Sequence, residues 1–200
     1  TKYNAILGTS AHCIATHPSD MCVALAVLDA VVHVQGANGE RDIPFAQFHR
    51  LPGEHPELDS TLAPEELIVH IDLPDAQRFV AHSAYLKIRE RLSYAFALVS
   101  VAAALDLAED GSIHEVRVAL GGVAHKPWRN ADAEAQVVGQ PATAETFARL
   151  ADALLQGAQP QGENAFKLPL ARRAIVRALS VAREGTIDNR GRTNALEESP

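Results

Sequence analysis

Two histidines, two cysteines and an aspartate lie within eleven residues near the start of the chain, in HCIATHPSDMC at positions 12–22. These side chain types bind metals, but their spacing matches none of the paired patterns typical of zinc sites, such as C-x₂-C, H-x₃-H or H-E-x-x-H. Adjacent side chains of an extended segment point to opposite sides, so His12 and Cys13 do not converge. Cys22 falls in a predicted helix among apolar neighbours, where a thiol is usually buried. We therefore predict no self-contained metal site in this segment.

The same segment also fits a strand, a turn at Pro18 and a helix start. Asp20 is a good helix N-cap, and the backbone N–H groups that follow it are free to bind an anion or another acceptor. The alternative is that Asp20 only caps its own helix. The pattern alone leaves both alternatives open.

A second feature with chemical content is a row of cations in AYLKIRERL. Alternation places Lys87, Arg89 and Arg91 on one face of a predicted strand, opposite Leu86, Ile88 and Leu92. Three cations on one face repel one another unless something negative lies nearby. Solvent at an exposed edge, acidic residues such as Glu65 and Glu66, a phosphate-bearing cofactor or another chain would each serve.

The elements that position these residues form two regions. In the first, a helix from Asp20 to about Ala30 precedes a hairpin, with Val31–Gln35 as one strand and a return near Ile43, and ELIVHIDLP adds a third strand. In the second, AYLKIRERL, YAFALVSVAAALDL and GSIHEVRVALGGV predict three antiparallel strands, the middle one buried on both faces. Helices follow, one of them capped by Thr143, and the last has an apolar stripe at Leu168, Ala171, Ile175, Leu179 and Ala182. Its arginines lie outside that stripe and form either a solvated face or a subunit contact.

Composition excludes several classes of protein. The 200 residues are 47% hydrophobic and 22% charged, as in soluble globular proteins, and the net charge of −7 argues against a nucleic-acid binder. No apolar run approaches the ~20 residues that span a bilayer, and TKYNAILGTS does not resemble a signal peptide. The sequence has no initiator Met, so we expect a fragment or a processed chain. These grounds alone leave the function undecided between a cofactor-binding lobe and an interaction module.

Four ordered segments resemble a known family. ATHPSDMCVALAVLDAVV, PEELIVHIDLP, YLKIRERLSYAFALVSVAAAL and VRVALGGVAHKPWR follow one another as in the FAD-binding subunits of molybdenum hydroxylases, the xanthine dehydrogenase and carbon monoxide dehydrogenase group. The forms LGTS…CIATHPSDM and RLSYAFALVSVAA are most similar to the branch of bacterial periplasmic aldehyde oxidoreductase. The resemblance covers about residues 4–185.

The resemblance implies an α+β fold with two domains. Residues 1–74 would be the C-terminal part of a PCMH-type FAD-binding domain, and residues 83–185 a CO dehydrogenase flavoprotein C-terminal domain, with a three-stranded antiparallel sheet and a helical bundle. Residues 186–200 would be a flexible tail. Because the Gly-rich segments that hold the FAD pyrophosphate would precede Thr1, the chain is expected to be the C-terminal part of a longer subunit.

The resemblance also assigns residues to FAD. Asp20 matches the aspartate of the P-x-S-D turn that contacts the flavin, and Lys87 matches a lysine close to the ring. Tyr94 occupies a loop position that covers the reactive face of the ring, where other branches carry an acidic residue. The remaining expected contacts are the backbone at Ile14 and the apolar pair Leu67 and Ile68 at the isoalloxazine edge. No catalytic residue is assigned.

An iron–sulfur cluster is a further expectation of the same branch. Its flavin subunit carries an extra [4Fe–4S] cluster, whose usual ligand set is four thiolates. Cys13 matches the last of these cysteines, and the others would lie upstream of Thr1. Cys22 is not expected to be a ligand, because its helix would turn it toward the core.

The implied function is electron transfer within a heterotrimeric molybdenum-dependent aldehyde oxidoreductase. Partner subunits would carry molybdopterin and [2Fe–2S] clusters, and electrons would pass through iron–sulfur clusters to FAD and then to an acceptor. No membrane insertion is expected. The compartment would be the periplasm, reached by export with a partner subunit, or the cytoplasm. The alternative function is a non-catalytic scaffold lobe that docks the iron–sulfur and molybdenum subunits.

Overall fold

The structure, a computed structural model, describes residues 1–185. Within that range it has two three-stranded antiparallel sheets, with helices packed on both sides of the second sheet. None of the helices in these residues is both long and apolar enough to cross a bilayer. The α+β class expected from the sequence is confirmed. The expected tail at 186–200 lies outside the described residues.

The first sheet contains the predicted hairpin. Helix α1 (Asp20–Val27) leads into β1 (Val31–Gly36), which pairs with β2 (Gly39–Pro44) on one side and with β3 (Leu67–Asp72) on the other. The four-residue helix α2 (Phe45–Phe48) follows β2. Alternation along β1 buries Val32 and Val34, as expected for a strand with one face on a core.

The second sheet has the strand order β4 (Ser83–Ile88), β5 (Val99–Leu107), β6 (Ile113–Gly121). Strand β5 is buried on both faces, as its run of small apolar residues predicts. Val101 and Leu105 face one core, whereas Ala102 and Ala104 face the core that includes α1. The three antiparallel strands are therefore confirmed.

Three helices follow in the part of the chain that the structure describes: α3 (Ala131–Ala135), α4 (Ala144–Leu154) and α5 (Lys167–Glu184). Thr143 caps α4, since its hydroxyl accepts a hydrogen bond from the Thr146 amide. The predicted stripe of α5 packs on β5, with Leu168 partly buried and the other four members buried. Helices α4 and α5 thus cover one face of the second sheet, while α1 covers the other.

The N-cap of α1 was predicted one residue too late. The cap is Ser19, whose side chain accepts a hydrogen bond from the Cys22 amide at 3.2 Å. Asp20 is the first helical residue, so its carboxylate is free to reach across to the second sheet. The helix also ends at Val27 rather than near Ala30, because Asp29 takes a positive φ of 52° and reverses the chain.

The prediction that Lys87, Arg89 and Arg91 form a row on one strand face is wrong for the two arginines. Strand β4 ends at Ile88, and residues 89–98 form a loop closed by a hydrogen bond from the Leu98 amide to the Ile88 carbonyl. Arg91 folds back to donate to the Tyr94 carbonyl, and Tyr94 itself has a positive φ of 50°. Arg89 and Arg91 therefore leave the sheet, and β5 begins five residues after Tyr94.

The N-terminal segment packs against the second sheet rather than the first. Ile6 and Leu7 belong to the core between that sheet and α5. Lys167 in α5 is fully buried and donates hydrogen bonds to the carbonyls of Tyr3, Asn4 and Gly122 at 2.8–3.0 Å. This lysine fixes the segment that precedes Cys13, although nothing in its sequence context distinguishes it from a surface lysine.

Candidate functional site

A polar cluster joins the start of α1 to strand β4. The Asp20 carboxylate accepts a hydrogen bond from the Lys87 ammonium at 2.6 Å through one oxygen, and from the Tyr85 hydroxyl at 2.8 Å through the other. Tyr85 and Lys87 are two positions apart, so both point to the same face of β4. Asp20 and Lys87 remain partly accessible, with side chains 41% and 21% exposed. The ion pair is therefore placed at the surface, where a ligand can reach it.

The electrostatics of the cluster keep Tyr85 protonated. Burial raises its pKa to about 12, a hydrogen bond with Ser100 opposes the shift, and the hydrogen bond to Asp20 adds to it. The phenol thus remains a donor that holds one carboxylate oxygen in place. A fixed carboxylate in turn holds the Lys87 ammonium, which is the arrangement needed to present a positive charge at a defined position.

Two clefts lie beside this region, and Tyr85 lines one of them. The larger, of about 460 Å³, has walls from α1, β4 and β5 that are mostly alanine and other apolar residues, with Tyr85 on its rim. The smaller, of about 190 Å³, is lined by Pro18, Ser19 and Phe96 among others. The larger volume lies within the range typical of small-molecule sites.

Two glycines on the wall of the smaller cleft allow neighbouring segments of the backbone to lie close together. A Cβ at Gly121 would lie 2.4 Å from the Ser100 hydroxyl and 2.6 Å from a methyl of Val23. Gly122 has a φ of +73°, and its Cβ would lie 2.9 Å from the Leu98 carbonyl. Only glycine allows α1, β5 and the end of the 89–98 loop to approach this closely.

The other residues expected to contact the flavin lie on different elements of the fold. Leu67 and Ile68 lie on β3 in the first sheet, with 75% and 47% of their surface exposed. Tyr94 is 95% exposed at the tip of the 89–98 loop. At Ile14 the backbone carbonyl accepts a hydrogen bond from the Ala5 amide at 2.8 Å. The structure therefore brings Asp20 and Lys87 into contact, and presents Leu67, Ile68 and Tyr94 as exposed apolar or aromatic surface.

These residues fit a flavin. A flavin has a flat apolar ring system with polar atoms along its edges, and it needs apolar surface together with a few fixed polar groups. The partly exposed ion pair supplies the polar groups. The exposed row on β3, where all six residues are accessible, supplies apolar surface that nothing in residues 1–185 covers.

Cys13 lies in a turn close to a histidine. Its backbone carbonyl accepts from the Ser10 amide, and its sulfur lies 3.8 Å from Nδ1 of His125 and 3.5 Å from the Ala15 amide. His125 also contacts Asp59 at 3.0 Å. The half-buried thiol is compatible with one ligand of a cluster, but the chain has only two cysteines and cannot complete a four-thiolate set alone.

Sequence reasoning missed Tyr85. The available signal was its spacing from Lys87, because two residues separated by two positions on a strand share a face. This spacing alone does not predict a role for Tyr85. The role becomes visible only when α1 packs on the second sheet and places Asp20 within reach of Tyr85 and Lys87.

Comparisons with known proteins match both regions. The family model described as "FAD binding domain in molybdopterin dehydrogenase" matches residues 7–76. The family model described as "CO dehydrogenase flavoprotein C-terminal domain" matches residues 83–182, which is half of the chain.

Individual relatives agree with these matches. The chain is 47% identical to the aldehyde oxidoreductase FAD-binding subunit PaoB of Escherichia coli over 92% of its own length and 54% of that protein's. It is 30% identical to the glyceraldehyde dehydrogenase medium chain of Sulfolobus acidocaldarius over 61% of its length and 40% of that protein's. The chain thus spans about half the length of the curated relatives it matches.

A solved structure has the same fold. The carbon monoxide dehydrogenase of Hydrogenophaga pseudoflava, in a form lacking the Mo-pyranopterin moiety of its molybdenum cofactor, superposes with a TM-score of 0.70 and 26% identity. The superposition covers 82% of this chain and 56% of the matched one.

Proposed function

The chain belongs to the FAD-binding subunits of molybdenum hydroxylases, and we propose that it serves in an aldehyde-oxidising member as the part that contacts the flavin ring. Electrons would pass from iron–sulfur clusters to FAD and then to an acceptor. Partner subunits would carry the molybdopterin and the [2Fe–2S] clusters, in a heterotrimer. The 47% identity to an aldehyde oxidoreductase subunit supports this substrate class.

The observation that carries the proposal is the Asp20–Lys87 ion pair. Asp20 lies in the segment that matches the FAD-binding domain, and Lys87 lies in the segment that matches the C-terminal domain. The 2.6 Å contact therefore joins the two matched segments. The larger cleft is lined by α1 from the first matched segment and by β4, including Tyr85, from the second, so a ligand bound there would touch both segments.

FAD, when bound, supplies the chemistry of storing and passing on electrons, and the residues of this chain supply its surroundings. Lys87 holds a positive charge that stabilises negative charge on a reduced ring. Asp20 holds the Lys87 ammonium in position, and Tyr85 holds Asp20. Because hydrogen bonds link all three residues, the positive charge of Lys87 is already in position before the flavin is reduced.

The exposed apolar residues would exclude water. Leu67 and Ile68 would cover the ring edge, Tyr94 would cover the reactive face from its loop, and the Ile14 backbone would lie along the cofactor. Covering Leu67, which is 75% exposed, also removes apolar surface from water, a favourable contribution of ~25 cal/mol per Å².

The test uses the assembled complex with Lys87→Ala and with Asp20→Asn. We expect a slower reduction of the bound flavin by aldehyde in stopped-flow experiments for both variants, because each removes or releases the positive charge. Lys2→Ala is the matched control, since Lys2 is an exposed lysine paired with Glu90. Flavin reduction at the wild-type rate in both variants would refute the assigned role.

The scaffold alternative predicts a different result. If this chain only docks its partners, both variants would retain the wild-type flavin content and flavin reduction rate, and only subunit association would respond to changes on the surface of α5. Flavin content is measured by absorbance after denaturation, and association by size-exclusion chromatography.

For the cluster, we propose that Cys13 is one ligand of a [4Fe–4S] centre completed by cysteines outside this segment. Cys13→Ser would then lower the iron content of the complex and reduce the electron paramagnetic resonance signal of that cluster. Cys22→Ser should leave both unchanged. Equal iron content in wild type and Cys13→Ser would contradict the assignment.

The proposal extends to the compartment, where export with a partner subunit would place the complex in the periplasm. Cell fractionation, followed by immunodetection of this chain, measures this directly. Recovery with the cytoplasmic fraction would assign the complex to the cytoplasm instead.

A further inference from the structure

Three potential metal ligands meet behind the turn that starts α1. One nitrogen each from His17 and His49 and the sulfur of Cys22 all lie within 4.8 Å of one another, and all three residues are half-buried. His17 precedes the turn, Cys22 lies in the first turn of α1, and His49 follows α2. The cluster therefore joins two segments that are 27 residues apart.

The separations suit a tetrahedral ion. Zn–N distances of about 2.0 Å and Zn–S distances of about 2.3 Å put the donor atoms of a tetrahedral site ~3.3–3.6 Å apart. Donors already within 4.8 Å need to close by only about 1 Å. Two imidazoles and a thiolate are a donor set that favours Zn²⁺ over Mg²⁺ or Ca²⁺.

Both histidines are half-buried, and one of them has an unpaired ring nitrogen. The buried Nδ1 of His49 has no hydrogen-bond partner within the residues that the structure describes, which is unusual for a buried polar atom.

Aromatic packing fixes the His49 ring. It lies edge-on to Phe48 at 4.9 Å and to His17 at 4.5 Å between centroids, and Phe45 packs at 5.3 Å. An imidazole held by three rings loses little rotational freedom when it binds an ion. The apolar neighbours also limit competition from water.

Other charges around the cluster are of both signs. Lys126 and His125 lie close enough to disfavour a cation, and Asp59 close enough to favour one. The Lys126 ammonium donates to the Ala46 carbonyl at 3.2 Å. Metal binding would also cost the 3.3 Å hydrogen bond in which His17 accepts from the Ser19 amide, a long and replaceable contact.

From these observations we propose that His17, Cys22 and His49 form a binding site for a single Zn²⁺ ion, with a fourth position open to water. The site is separate from the polar cluster at Asp20 and does not depend on the proposed electron transfer. The ion would connect α1, through Cys22, to His49 at the end of α2. Cys22 lies two residues after Asp20, the residue that pairs with Lys87.

The test is a titration of the chelator-treated full chain with Co²⁺ and then Zn²⁺. Co²⁺ should produce tetrahedral ligand-field bands in the visible region and a thiolate-to-cobalt charge-transfer band in the near ultraviolet. Zn²⁺ should displace it at a ratio of one ion per chain. Cys22→Ser should remove the charge-transfer band, and His49→Gln should weaken binding by at least about tenfold.

Cys13→Ser is the matched control, because Cys13 also lies close to a histidine but outside the proposed ligand set. Retention of the band in Cys13→Ser together with its loss in Cys22→Ser is the expected result. Loss of the band in Cys13→Ser alone, or no thiolate band in wild type, would overturn the proposal.

A measurement on the wild-type chain does not depend on how the variants fold. X-ray absorption at the zinc edge should show one sulfur at about 2.3 Å and two imidazole nitrogens at about 2.0 Å. A shell of oxygen and nitrogen alone would refute the site.

Discussion

Replacing the buried Lys167 with methionine tests whether its ammonium holds the N-terminal segment onto the second sheet. The ammonium donates to the carbonyls of Tyr3, Asn4 and Gly122. At about 1.5–3 kcal/mol for each bond to a charged group, these bonds would together suggest a loss of roughly 5–9 kcal/mol. Two structural facts reduce that figure.

The first fact is that two of the three carbonyls keep another donor. The Tyr3 carbonyl also accepts from the Thr16 hydroxyl at 3.1 Å, and the Asn4 carbonyl from the Asn164 side chain at 2.8 Å. For the Gly122 carbonyl, no second donor is present in residues 1–185. Methionine would therefore strand one buried acceptor, at a cost of about 1–3 kcal/mol.

The second fact is that burial of the ammonium is itself unfavourable. It lowers the pKa of Lys167 from 10.5 to about 8, which corresponds to roughly 3 kcal/mol that methionine would recover. Subtracting this gain of roughly 3 kcal/mol from the roughly 5–9 kcal/mol of the lost bonds leaves about 2–6 kcal/mol. Because two of the three carbonyls keep another donor, we expect the low end, so Lys167→Met should lower the free energy of unfolding by about 2 kcal/mol at pH 7.

The loss of stability caused by Lys167→Met should grow with pH. Below pH 8 the ammonium is charged in both states, but between pH 8 and 10.5 the unfolded chain keeps a proton that the folded chain has lost. The unfolded state then binds more protons, so wild-type stability rises with pH relative to the variant. The gap between wild type and Lys167→Met should therefore widen from pH 7 to pH 9.5.

Urea unfolding followed by the fluorescence of Trp128, the single tryptophan, measures both effects. Its indole donates to the Leu154 carbonyl and packs on the same core, so it reports on the right region. Lys2→Met, at an exposed lysine, is the control and should change stability by less than about 0.5 kcal/mol. A loss below about 0.5 or above about 5 kcal/mol for Lys167→Met, or a gap that narrows with pH, would refute the reasoning.

Three further predictions concern α1 and the polar cluster. Gly121→Ala should lower the free energy of unfolding by about 1–3 kcal/mol in urea titrations, because its Cβ would meet the Ser100 hydroxyl at 2.4 Å. Ser19→Ala should cost about 0.5–2 kcal/mol as the loss of an N-cap, whereas Ser19→Asp, which keeps a capping oxygen, should cost less, and an equal loss for both would contradict the cap assignment. Tyr85 should ionise with a midpoint near pH 12 in ultraviolet titration, and Asp20→Asn should bring that midpoint down, since a hydrogen bond to a neutral amide stabilises the protonated phenol less.

Local patterns predicted most of the elements. The hairpin of β1 and β2, the three antiparallel strands of the second sheet and the burial of β5 on both faces all correspond to observed structure. These signals are reliable because the side chain period of a strand and the conformational freedom of glycine are properties of neighbouring residues. The predictions failed where a local pattern continued past a point at which the chain leaves the sheet, as after Ile88.

The residue roles were implied by resemblance to a family, whereas the helices and strands were predicted from local patterns. Asp20 and Lys87 were assigned to one site from aligned motifs, and the structure shows them in contact at 2.6 Å. Their roles toward FAD, like those of Ile14, Leu67, Ile68 and Tyr94, stay predictions.

The sequence by itself determined most of the strands of the two sheets and the long helices that follow them. Only the tertiary structure decided which distant groups meet: Lys167 with the carbonyls of residues 3, 4 and 122, and His49 with His17 and Cys22. In the segment at positions 12–22 the spacing of histidine and cysteine predicts no self-contained metal site, and this stays a prediction. The physical reason is that helix and strand periodicities relate residues a few positions apart, whereas a binding site is set by the packing of whole elements. That packing brings the end of α2 against the start of α1, and no local pattern encodes it.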